Sequence, residues 1–391
     1  MRVLQVYKTP FPAVRGGVDV VVSNLLRQPA SGCECLLLRT AEWTLRGVQV
    51  EHIDGVKVIA LHLPVPPASW TAWSSWWFLA TRAPLALWRL RAVLREHAID
   101  IVHLHTLQFY QLYFVLCRWF GGPPFIVTLH RAEVLGFHRR HVLMRACWRL
   151  VLTRAAAVTA VSVWLTAEAR RRLPFVSAIE VITNGIAAPD AALPESDLLR
   201  QSLGLPAHYL CMVGVLEAYK GHDIALHALA GLDADCDLLV IGSGSLLAPY
   251  RALCERLGIA ARVHFVGQLA HEDTLALLRD SLALVMPSRN EGLGLVVLEA
   301  GMLGVPVIAS DIEPFREMLA HETTALLFAS ENADALTHAA RRLLTDAPLR
   351  TQLAQQFSAH VRESFSFSTN ARRYAQLYRR VLDGTLKDSQ S

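Results

Sequence analysis

Asn290-Glu291-Gly292-Leu293-Gly294-Leu295-Val296-Val297-Leu298-Glu299-Ala300, followed by Gly304-Val305-Pro306-Val307-Ile308-Ala309-Ser310, is the stretch around which the chain is organised. The apolar run Leu282 to Met286 ahead of it predicts a buried strand, the glycines a turn, Leu295 to Leu303 a helix, and the Gly-Val-Pro-Val-Ile-Ala-Ser phrase a second strand. Glu291 then lies in a strand-to-helix loop and Glu299 inside the helix. In an open α/β sheet such a loop opens at the carboxyl end of its strand, where ligands bind, and the free N–H groups of the first helical turn favour an anion. One short segment therefore offers two carboxylates to hydroxyl groups and a helix N-terminus to a phosphate. The alternative reading of the bare spacing is a tightly packed glycine turn with two coincidental glutamates.

Outward from this unit, strand and helix patterns alternate along the whole chain. In the first half, strand patterns at 2–7, 35–39, 56–61, 101–105, 125–130 and 158–162 are interleaved with helical ones at 18–27, 85–97, 107–120 and 163–172. Ile179 to Ile186 then forms a strand closed by Asn184-Gly185. The composition shifts at Ala187 to Glu195, rich in Ala and Pro, and the alternation restarts with strands at 209–213, 237–241 and 262–266 and helices at 221–230, 246–257 and 271–279. Asp311 to Glu317 reads as a loop. Alternation of this kind implies parallel βαβ units, and the restart implies two Rossmann-like α/β domains, residues 1–188 and 189–366. A last helix, over 367–383, carries Tyr374, Leu377 and Tyr378 at core-packing spacing.

The phrase from Glu291 to Glu299, two glutamates with seven residues between them, the second inside a small-residue helix that leads to the Gly304 to Ser310 strand, resembles the C-terminal signature of the retaining glycosyltransferase family usually numbered 4. The resemblance covers nearly the full length. It implies the GT-B fold, with an N-terminal acceptor domain, a C-terminal nucleotide-sugar domain and a last helix returning to the first. Carried onto this chain, it places Gly16 and Gly17 beside the donor phosphates and acceptor, and His130, ending a Thr-x-His strand, near the reacting centre. Gly214, Lys220, Gly242 and Gly244 fall at the nucleotide and its diphosphate. Glu291 with Gly292, Leu293, Gly294 and Leu295 falls on the donor sugar, and Glu299 on the ribose hydroxyls. His130, Glu291 and Lys220 are the catalytic candidates; His103 and His105, at another strand end, read first as capping or loop residues. The implied reaction is metal-independent transfer with retention of configuration, needing no cofactor, from a nucleotide-diphosphate sugar to a glycan or lipid-linked acceptor. One departure stands out: the family's phosphate-clamping arginine is Val215 here, with Arg289 or His222 as replacement cations. Two other readings follow, a nucleotide-sugar epimerase of the same architecture and a weak or inactive partner protein.

The composition bounds these readings. With 391 residues, 53% apolar, the chain has room for two cores, and a net charge of +4 with no nucleic-acid motif excludes RNA and DNA as partners. Seven cysteines, an odd number without a CxxC pair, fit a reduced cytoplasmic protein. No signal peptide or membrane span is expected. Ser69 to Phe78 is rich in tryptophan and precedes Arg82, Trp88, Arg89, Arg91 and Arg95. Tryptophan with arginine on an amphipathic segment suits a bilayer interface, and packing under a loop is the alternative. With the family resemblance, the patch suggests peripheral attachment to the inner membrane and a lipopolysaccharide or other envelope polysaccharide as product. Substitution of Trp73, Trp76 and Trp77 by Ala is then expected to weaken binding to anionic vesicles.

Overall fold

The computed structural model describes residues 1–8, 11–12, 16–40, 47–65, 73–187, 193–233 and 236–385, without the side chains of 73–80. The linker expected at 187–195 and the tryptophans expected to face a membrane at 70–77 lie largely outside that description. The chain divides into two compact units. One is built from Val18–Thr183 with the first strand and the returning C-terminal segment, the other from Asn184–Phe367 together with Gly16 and Gly17.

The first unit holds an eight-stranded sheet. Its strands are β1 (Arg2–Val6), β2 (Glu34–Thr40), β3 (Val48–Ile53), β4 (Val56–Leu61), β5 (Ile101–His105), β6 (Phe125–Leu129), β7 (Ala157–Ala160) and β8 (Glu180–Val181), in the order β3-β4-β2-β1-β5-β6-β7-β8. Every pairing is parallel except β3 with β4. Parallel strands covered by helices on both faces read as continuous apolar runs, and β5 and β6 are buried at every position. β3 was not expected. It is an exposed edge strand turned back by Asp54-Gly55, both at positive φ, onto β4. The last helix, Phe367–Leu382, belongs to this unit, and its Tyr374, Leu377 and Tyr378 are buried.

The second unit holds a six-stranded parallel sheet: β9 (Tyr209–Val213), β10 (Asp237–Ile241), β11 (Val263–Gly267), β12 (Ala283–Met286), β13 (Val307–Ser310) and β14 (Leu326–Phe328). The order is β11-β10-β9-β12-β13-β14. The order in which successive strands are added reverses between β9 and β12, the point at which an open α/β sheet leaves a crevice for ligand. The helix predicted after β12 spans Leu295–Leu303, as expected. The expected loop at 311–317 instead contains a short helix, Glu313–Arg316, opened by Pro314, whose fixed φ suits a first helical turn. The helix expected over 107–120 begins with a tighter turn at Phe109–Gln111 before Leu112–Trp119.

Candidate active site

In the second unit the loops that follow β9, β10 and β12 meet at the carboxyl edge of the sheet. Main-chain contact requires glycine at two points. A Cβ on Gly221, at φ +69°, would lie 2.0 Å from the Pro287 carbonyl oxygen, and one on Gly242, at φ +144°, 1.9 Å from that of Gly214. The loops are further tied by hydrogen bonds from Gly214 N–H to the Ile241 carbonyl (2.9 Å) and from Leu216 N–H to that of Ser243 (3.0 Å). Gly242 and Gly244 are thus explained by close packing of these loops, and their place at the crevice follows from the same geometry.

Two charged side chains come together there. Lys220 ends the turn after β9, and its Nζ lies 2.5 Å from Oε1 of Glu291 in the loop after β12. Ser288 Oγ donates to the same Glu291 oxygen at 3.0 Å, and Ser310 Oγ holds the Ser288 carbonyl at 2.6 Å. Both charges are largely withdrawn from water, so each depends on the other. Glu291 is followed by buried Gly292 and Leu293, then Gly294 as N-cap of the helix Leu295–Leu303, which no side chain caps. Orphan N–H groups of a first turn are suited to an anion. Glu299, inside this helix, is buried, and burial raises its carboxyl above the ordinary range while His271 Nε2, 3.6 Å away, opposes the rise.

Neither cation suggested to replace the missing arginine is available. Arg289 makes a bidentate pair with Asp223 (2.9 and 2.7 Å), pairs with Glu331 at 2.6 Å and donates to the Ala218 carbonyl, so its charge is spent binding the two loops together. His222 is buried against Tyr250, burial lowers its pKa to about 4, and neither ring nitrogen has a partner. Val215 itself is partly exposed. The sequence also contains an Asp-x-Asp run, Asp233-Ala234-Asp235-Cys236-Asp237. Its last residue, Asp237, opens β10 at the end of the strand opposite the crevice and is taken by His264 at 2.6 Å. Among the described residues no group of three or more His, Cys, Asp or Glu side chains forms a metal set.

In the first unit, β1 and β5 are neighbours at the corresponding switch of strand order. His130 follows β6, and burial lowers its pKa to about 4, so it is neutral near pH 7. Its backbone N–H and that of Arg131 point to Glu133 Oε2 at 3.3 Å. His105, at the end of β5, reaches His130 through Nδ1 to Nε2 at 3.3 Å and Gln5 Oε1 through Nε2 at 2.8 Å. Gln5, in mid-strand, was not singled out from the sequence. A polar residue flanked by Leu4 and Val6 is the available signal. Gly16 and Gly17 are exposed, Gly17 opening the helix Gly17–Arg27.

Residues 196–359 match the family model described as "Glycosyl transferases group 1", and residues 16–185 the one described as "Glycosyl transferase 4-like domain". The chain is 27% identical over 390 residues, 93% of its length and 90% of the relative's, to a D-inositol 3-phosphate glycosyltransferase of Corynebacterium urealyticum. Among solved structures, the sucrose-phosphate synthase of Thermosynechococcus elongatus superposes with a TM-score of 0.78 at 23% identity, covering 98% of this chain and 99% of that one. Anabaena HepE, in complex with UDP and glucose, gives 0.74 at 18%, covering 96% and 99%.

Proposed function

Starting from a chain that belongs to the group 4 glycosyltransferases and has their GT-B fold, we propose that it transfers a sugar from a nucleotide-diphosphate donor to a glycan or lipid-linked acceptor, with retention and without a metal ion. The observation that carries the donor side is the Lys220–Glu291 pair at the sheet's switch point, beside an uncapped helix N-terminus. Breaking the bond between the anomeric carbon and the phosphate oxygen builds negative charge on the phosphate and positive charge on the sugar ring. In this reading Lys220 and the first-turn N–H groups of Leu295–Leu303 stabilise the former. Glu291, with Gly292 to Leu295, orients the sugar hydroxyls, and Glu299 accepts from the ribose. The acceptor hydroxyl attacks from the face the phosphate leaves, passing its proton to that phosphate, and His130 supports the reacting centre as a neutral imidazole. HepE's complexes with UDP and glucose support a uridine donor as the first to try. The acceptor is proposed to be drawn from an anionic membrane surface as an envelope glycan precursor, since the first unit exposes Trp88, Trp119 and Phe120 among arginines.

EDTA-treated protein, supplied with UDP-, GDP- or ADP-sugars and a lipid extract, should release nucleotide only when both donor and extract are present. Glu299→Ala should abolish the release. Release that returns only when Mg²⁺ is restored would refute metal independence, and absence of release with every donor would refute the donor assignment.

A further inference from the structure

The mechanism leaves unused a run of buried polar side chains behind His130. From His105, the chain passes through Gln5 on β1 to Tyr378 on the last helix, whose hydroxyl lies 3.4 Å from Gln5 Nε2. Tyr378 reaches His103 Nδ1 at 2.8 Å, and His103 Nε2 reaches Thr128 Oγ1 at 2.7 Å. Thr128 continues to Thr159 at 2.7 Å and to the Tyr374 hydroxyl at 3.2 Å. Gln5, His103, His105, Thr128 and Thr159 have no solvent exposure at all, so each donor and acceptor must be satisfied inside the network.

That requirement gives the network a direction. Gln5 Nε2 has two hydrogens and two acceptors, Tyr378 Oη and Cys35 Sγ at 3.7 Å. With the amide reversed, one N–H would face His105 and the other would be buried without a partner, a loss of about 1–3 kcal/mol. The Gln5 oxygen therefore accepts from His105, which must carry its proton on Nε2. A neutral imidazole has one N–H, so His105 Nδ1 is an acceptor. His130 must then present Nε2–H to it, leaving Nδ1 as the bare nitrogen. On the other side Tyr378 donates to His103 Nδ1 and His103 Nε2–H donates to Thr128. Burial keeps His103 and His105 neutral, as this pattern demands. The other ionisable groups beside His103, His105 and His130 are Tyr374, whose ring centre lies 5.0 Å from that of His103, Tyr7, whose ring edge meets His105, and Glu133, which accepts from the backbone N–H groups of His130 and Arg131.

We propose that Gln5, His105 and Tyr378 form a relay that fixes His130 as its Nε2-protonated tautomer, which makes Gln5 and His105 positioning residues for the transfer reaction and ties them to the C-terminal helix. The consequence for catalysis rests on the placement of His130 at the reacting centre; the tautomer does not. The test is a two-bond ¹⁵N–¹H correlation spectrum of the full-length protein labelled at histidine, with His130 assigned from His130→Gln. The expected wild-type pattern is Nε2–H for both His130 and His105. In Gln5→Leu the His130 pattern should move toward a mixture of tautomers, with kcat falling about tenfold or more and donor KM within about twofold of wild type. Gln5→Glu keeps an acceptor facing His105 and should restore the wild-type tautomer and most of kcat. Tyr378→Phe, which removes one hydroxyl and keeps the ring, should act as Gln5→Leu does but more weakly. A wild-type His130 protonated on Nδ1, or one whose tautomer is the same in Gln5→Leu and Tyr378→Phe as in wild type, would overturn the relay. If the tautomers behave as expected while His130→Ala transfers sugar at the wild-type rate, the relay stands and the catalytic placement of His130 falls.

Discussion

At the residue scale the proposed donor site is short of one cation, and the shortage is open to direct test. Val215 stands where the family has arginine, is partly exposed, and has neither Arg289 nor His222 to make up its charge. Val215→Arg should therefore tighten nucleoside diphosphate binding by about tenfold or more, the worth of one charge-assisted hydrogen bond at roughly 1.5–3 kcal/mol. Calorimetry that finds no gain would place the phosphates elsewhere. Lys220→Met removes the cation that remains and leaves Glu291 buried and alone, so it should weaken the same binding at least as much and also lower stability by about 3 kcal/mol. Glu299 makes a prediction with a definite pH signature. Burial raises its folded pKa above the ordinary 4.5, so wild-type stability is favoured below that value, where the carboxyl is protonated in both states, and is lost as pH rises through the folded pKa. Glu299→Gln should accordingly raise the urea midpoint at pH 8, with the gain shrinking toward pH 4.5, while weakening nucleotide binding. A variant less stable than wild type at both ends would mean that the His271 contact outweighs burial.

At the scale of elements, the helix Leu295–Leu303 packs on Ala347–Ser364 through a glycine. A Cβ on Gly301 would stand 2.6 Å from Val361 Cγ2 and 2.7 Å from Phe357 Cε1. Alanine improves helix propensity by about 1 kcal/mol, but overpacking a filled interface costs about 1–3 kcal/mol. Gly301→Ala should thus be destabilising in urea, and Val361→Ala in the same chain should recover part of the loss. Were Gly301→Ala more stable than wild type, the contact would be looser than it stands. The same helix shows what could be read in advance. Its apolar run, bounded by Gly294 and Gly304, fixes both ends locally, and β12 before it is a short uncharged run. β3 escaped notice because an exposed edge strand lacks a buried face to impose alternation, although Asp54-Gly55 marks its turn. The 333–345 and 347–364 helices were likewise left unread. Arg289 looked like a free cation because its partners lie 66 residues back and 42 ahead, a distance at which only the fold brings side chains together. Gln5 was hidden for the same reason. Within β1 it looks like one polar interruption, and its partners come from β5 and the last helix.

At the scale of the whole molecule, a net charge of +4 is too small to hold the chain to anionic lipid unless basic and aromatic groups are gathered on one face. The first unit gathers them where the Trp73–Glu96, Leu112–Trp119 and Val142–Arg154 helices pack together. Trp88 lies one turn from Arg91, whose guanidinium sits 5.1 Å over the Phe120 ring and donates to the Phe120 carbonyl at 3.1 Å; Arg154 lies 5.7 Å over Trp119. Trp88, Phe120 and Trp119 are 67%, 57% and 54% exposed, so three large rings face water beside their arginines. Rings at headgroup depth with guanidinium groups on anionic lipid would cover that apolar area and gain about 1 kcal/mol for each arginine near the surface. Among the described residues no helix is long and apolar enough to cross a membrane, so attachment through this face would be reversible and salt-dependent. Sedimentation with phosphatidylglycerol vesicles should carry the protein down in about 0.1 M salt and release it near 0.5 M, with little binding to phosphatidylcholine. Trp88→Ala with Trp119→Ala should reduce the bound fraction and raise KM for a lipid-linked acceptor in vesicles, leaving nucleotide affinity unchanged. Equal sedimentation of the double variant would show that the rings serve some other contact. Binding that survives high salt would show that the arginines do not supply the attraction.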